Sequence, residues 1–361
     1  MSAAPPIDVA VIGAGLVGLA TAAALARRGA RVLLLADVRR GEASPAAAGI
    51  LAPSIEPASG ASQAFAVAAR DHYPAYLDAL GAQTGIDVPL NRLGVLELAG
   101  NDEEAARLER SRPPEATWLD RQALGELEPG LAHAAGAVFH PHDGAVNNLV
   151  LMRALKTAVA RDPRITVVSD AAEQLVLDDR PAAVLTRDGV RYPVARVVIA
   201  SGVWAPYLEG LPRPLPIEPV RGQMMSVASK LLRHVVYAGD GYAVPRADGR
   251  TLIGSTAERV GFDASHTAAG VEQVRGIAAA ISPQLAPARM LNAWAGLRPV
   301  TPDLQPIIGR DPERPALIYA CGHSRNGVLL APLTGECVAA LGVDEEPPLD
   351  LAPFRVERFA A

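Results

Sequence analysis

Two short, predominantly apolar runs flank a small-residue helical pattern at the start of the chain. Residues 7–12 predict a buried strand, 16–28 a helix closed at Gly29, and 31–36 a second buried strand, which together make a β-α-β opening. Residues 63–80 have helical periodicity, and 93–98 begin a less regular region with short strands and two polar helical pieces near 102–127. Asn147 is placed to cap a helix over 148–160, where Leu151, Met152, Leu155 and Val159 share one face. Strand patterns follow at 165–168, 174–177, 183–186 and 194–200, the last running into Ser201-Gly202. Proline is dense over 212–219 and predicts a crossover between domains, because those residues cannot donate backbone hydrogen bonds. Beyond it, 216–228 and 241–255 predict longer antiparallel strands turned at Ala247-Asp248-Gly249, then a helix over 271–281 and a returning strand over 289–297. A final α/β segment, 316–341, belongs with the N-terminal layer.

A chain of 361 residues exceeds one ordinary hydrophobic core, so the pattern predicts an α/β protein of two domains. Its net charge of -5 provides no field for a nucleic-acid backbone. Cys321 and Cys337 have neither metal-type nor disulfide-scaffold spacing, which fits packing roles in a reducing, cytoplasmic setting. The apolar N-terminal stretch does not read as a signal peptide: no basic segment precedes it, and Arg27-Arg28-Gly29 closes it before a second apolar run. No stretch reaches the length expected of a transmembrane helix.

Gly13-x-Gly15-x-x-Gly18 lies between the first strand and first helix, where such a pattern acquires meaning. Gly13 permits a tight turn, Gly15 lets a pyrophosphate approach the backbone, and Gly18 allows close helix-strand packing. The acidic residue expected on a ribose is Asp37, one position beyond the usual place. The segment Gly41-Glu42-Ala43-Ser44-Pro45-Ala46-Ala47-Ala48-Gly49-Ile50-Leu51-Ala52-Pro53 is small enough to wrap a bulky cofactor, and equally reads as an Ala-rich loop. Near the C-terminus, Arg298 and Arg325 sit in Gly/Pro-shaped, turn-rich sequence, where a planar fork of donors can face a ligand carboxylate.

The fingerprint, the small segment around Ser44 to Leu51, Ala200-Ser201-Gly202-Val203-Trp204, Tyr242-Ala243-Val244-Pro245-Arg246, Trp294-Ala295-Gly296-Leu297-Arg298-Pro299 and Gly322-His323-Ser324-Arg325-Asn326-Gly327 occur in order. Together they resemble the glycine oxidase (ThiO) branch of the D-amino-acid oxidase family of FAD enzymes. The resemblance covers nearly the whole chain and implies a Rossmann-like FAD-binding domain with an antiparallel-sheet substrate domain. The expected division is 1–85, 141–215 and 300–361 for the first, and 86–140 and 216–299 for the second. It implies that Arg298 clamps a substrate carboxylate, Tyr242 hydrogen-bonds it, and Arg325 stands near substrate and flavin. It places FAD against Gly13, Gly15, Leu16, Val17 and Gly18, Ala36 and Asp37, and then Ala43, Ser44, Ala48, Gly49 and Ile50. Ala172 contributes through its backbone, and His323, Ser324, Arg325, Asn326, Gly327, Val328 and Leu329 hold the ring system. The implied reaction oxidises a small amino acid or amine with dioxygen to hydrogen peroxide, in a thiamine pathway; homo-oligomers are common among such proteins.

Ile50 stands where this branch commonly has methionine, and Ala257 where a larger side chain is frequent, so both are expected to reshape the substrate pocket. Ser324 replaces a frequent aromatic, and Asp240 stands where relatives carry a histidine. As alternatives, Arg298 makes an interdomain salt bridge, Tyr242 packs on its sheet, and Arg325 braces its turn. His140, His142 and Asp143 have metal-ligand chemistry but read as loop residues, and no metal is expected. Two functional competitors remain: a dehydrogenase passing electrons to a quinone or carrier, and a non-catalytic flavin-binding regulator.

Overall fold

The computed structural model describes residues 7–56, 60–177 and 182–359. The outermost residues of the expected FAD-binding domain, and its segments 57–59 and 178–181, lie outside them. Two large sheets organise the described chain. In the first, Arg191–Ile199, Ile7–Ile12, Val32–Leu35 and Ile165–Val168 run parallel in that order, and Leu317–Cys321 pairs parallel to the far end of Arg191–Ile199. Helices Leu16–Arg27, Gly60–Thr84, Asn148–Arg161 and Gly327–Gly342 supply much of the apolar core on one side of these strands. The strands are therefore apolar on successive residues rather than alternating, which is why the sequence reads them as predominantly apolar runs.

The first and last helices pack closely because small residues line their contact: a Cβ on Gly335 would lie 2.8 Å from the Ala20 backbone. Gly18 meets the same requirement at the fingerprint turn, where a Cβ would fall 1.8 Å from the Gly13 carbonyl oxygen. Its role is thus packing the helix onto the strand.

The second sheet contains eight strands, ordered from Met290–Val300 through Glu218–Ala228, Arg250–Gly254, Gly241–Pro245, Val235–Ala238, Val95–Ala99 and Gly136–His140 to Thr117–Asp120. Its pairings are antiparallel except that between Val235–Ala238 and Val95–Ala99. Helix Ala268–Ile281 packs on it, capped by the Thr267 hydroxyl, which accepts from Gly270 N at 3.1 Å. The polar helices Asp102–Ser111 and Arg121–Leu127 begin at Asn101 and Asp120 caps. The strand Val235–Ala238 was not distinguished in the sequence, since four residues carry too little periodicity.

Arg298 differs from its expected setting. It lies inside the regular strand Met290–Val300, not in a turn. Strand register continues through Arg298-Pro299 because this is the edge strand of the sheet, where a missing proline N–H is tolerated; Pro299 is opposite Pro219.

Candidate active site

A cleft with about 1800 Å³ of empty space, its open mouth included, runs from the Gly13 turn to the second sheet. At the first end, Gly13 has a left-handed φ of 108°, and a Cβ there would lie 2.6 Å from Ala200 O. The first helix has no side-chain cap from Gly15; instead Leu16 N donates to Ser44 Oγ at 3.0 Å, and Asn148 Nδ2 holds Ser44 O at 2.9 Å. Gly13, Gly15, Leu16, Val17, Ala43, Ser44, Ala48, Gly49, Ile50 and Ala172 all line the cleft.

Three expected cofactor positions do not reach its wall. Gly18 is turned to the strand, Ala36 N donates to Val168 O and so extends the sheet, and Leu329 is buried in the final helix. Asp37 does line the cleft, but its carboxylate accepts from Arg39 at 2.7 Å and Arg187 at 3.2 Å, so a ribose would share it.

The turn Gly322-His323-Ser324-Arg325-Asn326 brings the N-terminus of helix Gly327–Gly342 to the middle of the cleft. Gly322 and Ser324 both take positive φ, 70° and 48°, and Ser324 N donates to Pro299 O at 2.9 Å, tying the turn to the strand that carries Arg298. The first turn of this helix contains no acidic side chain, so its free N–H groups favour negative charge. His323 is buried with Nε2 3.2 Å from Thr334 Oγ1, and burial lowers its pKa to about 4, leaving it neutral.

The second sheet supplies the opposite wall. Arg298 donates through Nη1 to Thr256 O at 3.1 Å and through Nη2 to Ser255 Oγ at 2.5 Å. Among the described residues no carboxylate lies within ion-pair distance of it. A cut-back strand makes room for the guanidinium: a Cβ on Gly222 would fall 2.4 Å from Arg298 Nη2. Tyr242 is buried at the cleft with its hydroxyl 3.7 Å from Met224 Sδ, its one hydrogen-bond partner among the described residues. Its ring lies 5.7 Å from that of Tyr237. Arg325, in contrast, is paired with Glu56 at 3.2 Å, and Tyr237 OH also approaches Glu56 at 3.4 Å. Burial raises the Tyr237 pKa well above its ordinary value, with neighbouring Glu56 adding to the effect.

Glu56, Tyr237, Met224 and Gly222 were missed in the sequence. Glu56 and Tyr237 belong to no spacing pattern, whereas Gly222, opposite Gly296 inside a strand, carried a readable sign of close approach. Ile50 lies on the cleft wall, but Ala257 is exposed and outside it, so only Ile50 can shape the pocket directly. Asp240 is an exposed turn residue. Asp143 is buried and held by Arg70 at 2.9 Å and Ser54 N at 3.1 Å, while His140 faces Glu97 at 3.4 Å. Both cysteines are free and buried, which pushes each thiol up to about 12. Among the described residues no helix is long and apolar enough to cross a membrane.

The family described as FAD dependent oxidoreductase, DAO, matches residues 8–341. The chain belongs to this family. This oxidoreductase is 37% identical to a glycine oxidase from Geobacillus kaustophilus over 97% of each chain. The crystal structure of glycine oxidase from Geobacillus kaustophilus superimposes with a TM-score of 0.91 at 35% identity, covering 99% of this chain and all of that one. A bifunctional protein ThiO/ThiG from Synechocystis is 34% identical over 98% of this chain, which spans 54% of that longer protein. The protein is an FAD enzyme. Its cleft fits the cofactor on physical grounds: two helix N-termini face it, glycine and alanine cut back its walls, and the buried Ser201 hydroxyl on that wall has no partner among the described residues.

Proposed function

We propose that this enzyme oxidatively deaminates glycine or another small amino acid, such as sarcosine or a small D-amino acid. The products are the 2-oxo acid, the amine or ammonia, and hydrogen peroxide. The observation that carries the reading is Arg298: a guanidinium on the cleft wall, fixed by a carbonyl and a hydroxyl, with no carboxylate partner among the described residues. A substrate carboxylate completes that fork. Tyr242, whose hydroxyl has among the described residues only a thioether as hydrogen-bond partner, donates to the same carboxylate.

FAD, when bound, supplies the two-electron acceptor at which the amine is oxidised and from which dioxygen takes the electrons. The side chains supply orientation rather than a base, since burial makes the His323 imidazole only weakly basic and its Nε2 is turned to Thr334. Holding the Cα–H bond in a near-attack geometry contributes up to roughly 7–11 kcal/mol. We assign FAD contacts to Gly13, Gly15, Leu16 and Val17, to the Ala43–Ala46 turn with Ala48, Gly49 and Ile50, and to the 323–328 turn and helix start. The same reading divides the chain into an FAD body, 1–85, 141–215 and 300–361, and a substrate body, 86–140 and 216–299. In a cell that makes thiamine, the imine product would feed thiazole formation.

The test is anaerobic addition of glycine, sarcosine and D-alanine to the purified holoenzyme, followed by air. Bleaching of the flavin, recolouring in air and stoichiometric peroxide are expected. Bleaching without recolouring would make the protein a dehydrogenase, and no bleaching by any amine would make it a flavin-binding regulator.

A further inference from the structure

The substrate end of the cleft carries two arginines, and they are in different electrostatic states. Among the described residues Arg298 has only neutral partners. Arg325 is paired with Glu56, whose carboxylate oxygen also lies near the Tyr237 hydroxyl. A continuous wall joins the two. Ser255 holds Arg298 and follows Gly254; Tyr242 OH lies 3.1 Å from a Cβ built on Gly254; and the Tyr242 ring faces Tyr237, which reaches Glu56. Arg298, Arg325, Glu56, Tyr237 and Tyr242 all line the same cavity.

We propose that Glu56 is a specificity residue that limits this enzyme to substrates with a single carboxylate. The proposal rests on the amino-acid oxidase reading above. By occupying Arg325, Glu56 leaves the chamber with one cation to be matched, Arg298. A substrate's first carboxylate neutralises it. A second anionic group, on the amine nitrogen or on the side chain, finds no counter-charge and meets the Glu56 carboxylate in a site with reduced solvent screening. Asp240, on the exposed turn and within electrostatic range of Arg325, adds to the negative bias at this end. Glu56 is itself well shielded, with a side-chain exposure of 12% against 41% for Arg325, so its charge acts inward on the cavity rather than being dissipated in solvent. Neutralising Glu56 converts Arg325 from a paired residue into a second anion site.

The experiment compares glycine with iminodiacetate, which is glycine carrying a carboxymethyl group on nitrogen, in wild type, Glu56→Gln and Glu56→Asp. Glutamine keeps an acceptor for Tyr237 while removing the charge. The readout is the ratio of kcat/KM for iminodiacetate to that for glycine, which cancels general damage to the site. The ratio should rise on the order of tenfold to a hundredfold in Glu56→Gln, stay near wild type in Glu56→Asp, and fall back in the double variant Glu56→Gln/Arg325→Gln. An unchanged ratio in Glu56→Gln, or a gain that persists without Arg325, overturns the proposal. A wild-type enzyme that bleaches with no amino acid at all would instead sink the oxidase reading, so the two failures are distinguishable.

Discussion

Arg298 holds a full positive charge where the described residues offer it only a hydroxyl and a carbonyl, an arrangement suited to an anionic ligand. Replacing it with alanine should reduce kcat/KM for glycine on the order of 10²–10³-fold, the cost of losing one side of a desolvated charge pair. FAD absorbance should persist; a variant purified without flavin would show that the residue is structural. His323 makes a different, pH-dependent contribution. Burial lowers its folded pKa to about 4 from an unfolded value near 6.5, so the unfolded chain binds its proton first as the pH falls. Its contribution to stability is intact above pH 6.5 and is lost as the pH falls towards 4, by roughly 3 kcal/mol in total. His323→Gln should flatten that part of the stability-pH curve relative to wild type. Parallel curves for the two proteins in chemical denaturation would disprove the assignment.

At the scale of elements, the substrate wall depends on glycines that leave one face of the strand pair bare, so that Arg298 lies over Gly222 and Ala46 packs against Gly296. Gly222 and Gly296 face each other across the Glu218–Ala228 and Met290–Val300 pair, and the Arg298 side chain folds over Gly222. Gly222→Ala therefore keeps the strand but pushes the guanidinium aside, because the end of a long side chain yields more easily than the backbone. Glycine turnover should fall about 10²-fold, as expected for displacement of a positioning group by around an ångström. Thermal unfolding and FAD content should change little. Equal activity in wild type and variant would mean that Arg298 can reach its ligand from another rotamer. The same economy of space governs the first helix, where Gly18 faces the Gly13 carbonyl and Gly335 faces Ala20. Gly18 brings the N-terminus of the first helix close to the strand end at Gly13, and Gly335 lets the last helix pack closely against the first.

Across the whole molecule, Arg246 joins the second sheet to the cofactor loop and to the start of helix Asn148–Arg161. Located just past Gly241–Pro245, it donates to Ala48 O at 2.7 Å, Val146 O at 3.1 Å and Asn148 Oδ1 at 3.2 Å, and Asn148 in turn holds Ser44 O. Burial lowers its pKa to about 10, so it stays charged at neutral pH. Arg246→Met should leave two buried carbonyls unpaired, cost about 2–4 kcal/mol of stability and weaken FAD binding at least tenfold by loosening the Ala48-Gly49-Ile50 wall. Unaltered FAD affinity by titration of the apoprotein would exclude this coupling. Much of this organisation was legible in the chain: contiguous apolar runs mark strands buried on both faces, Gly13-x-Gly15-x-x-Gly18 marks a dinucleotide turn, and the ordered motifs mark the family. Those signals are local, because strand burial, turn conformation and helix capping are each decided within a few residues. Ion-pair choice is not local. Arg298 and Arg325 look alike in sequence, and only the folded chain brings Glu56 to one and leaves neutral partners for the other. Tertiary structure likewise turned Ala257 out to solvent, set Arg298 inside an edge strand, and cut back Gly222 beneath it. Charge compensation and steric clearance depend on residues distant in sequence meeting within a few ångströms, so they were decided only when the sheets packed.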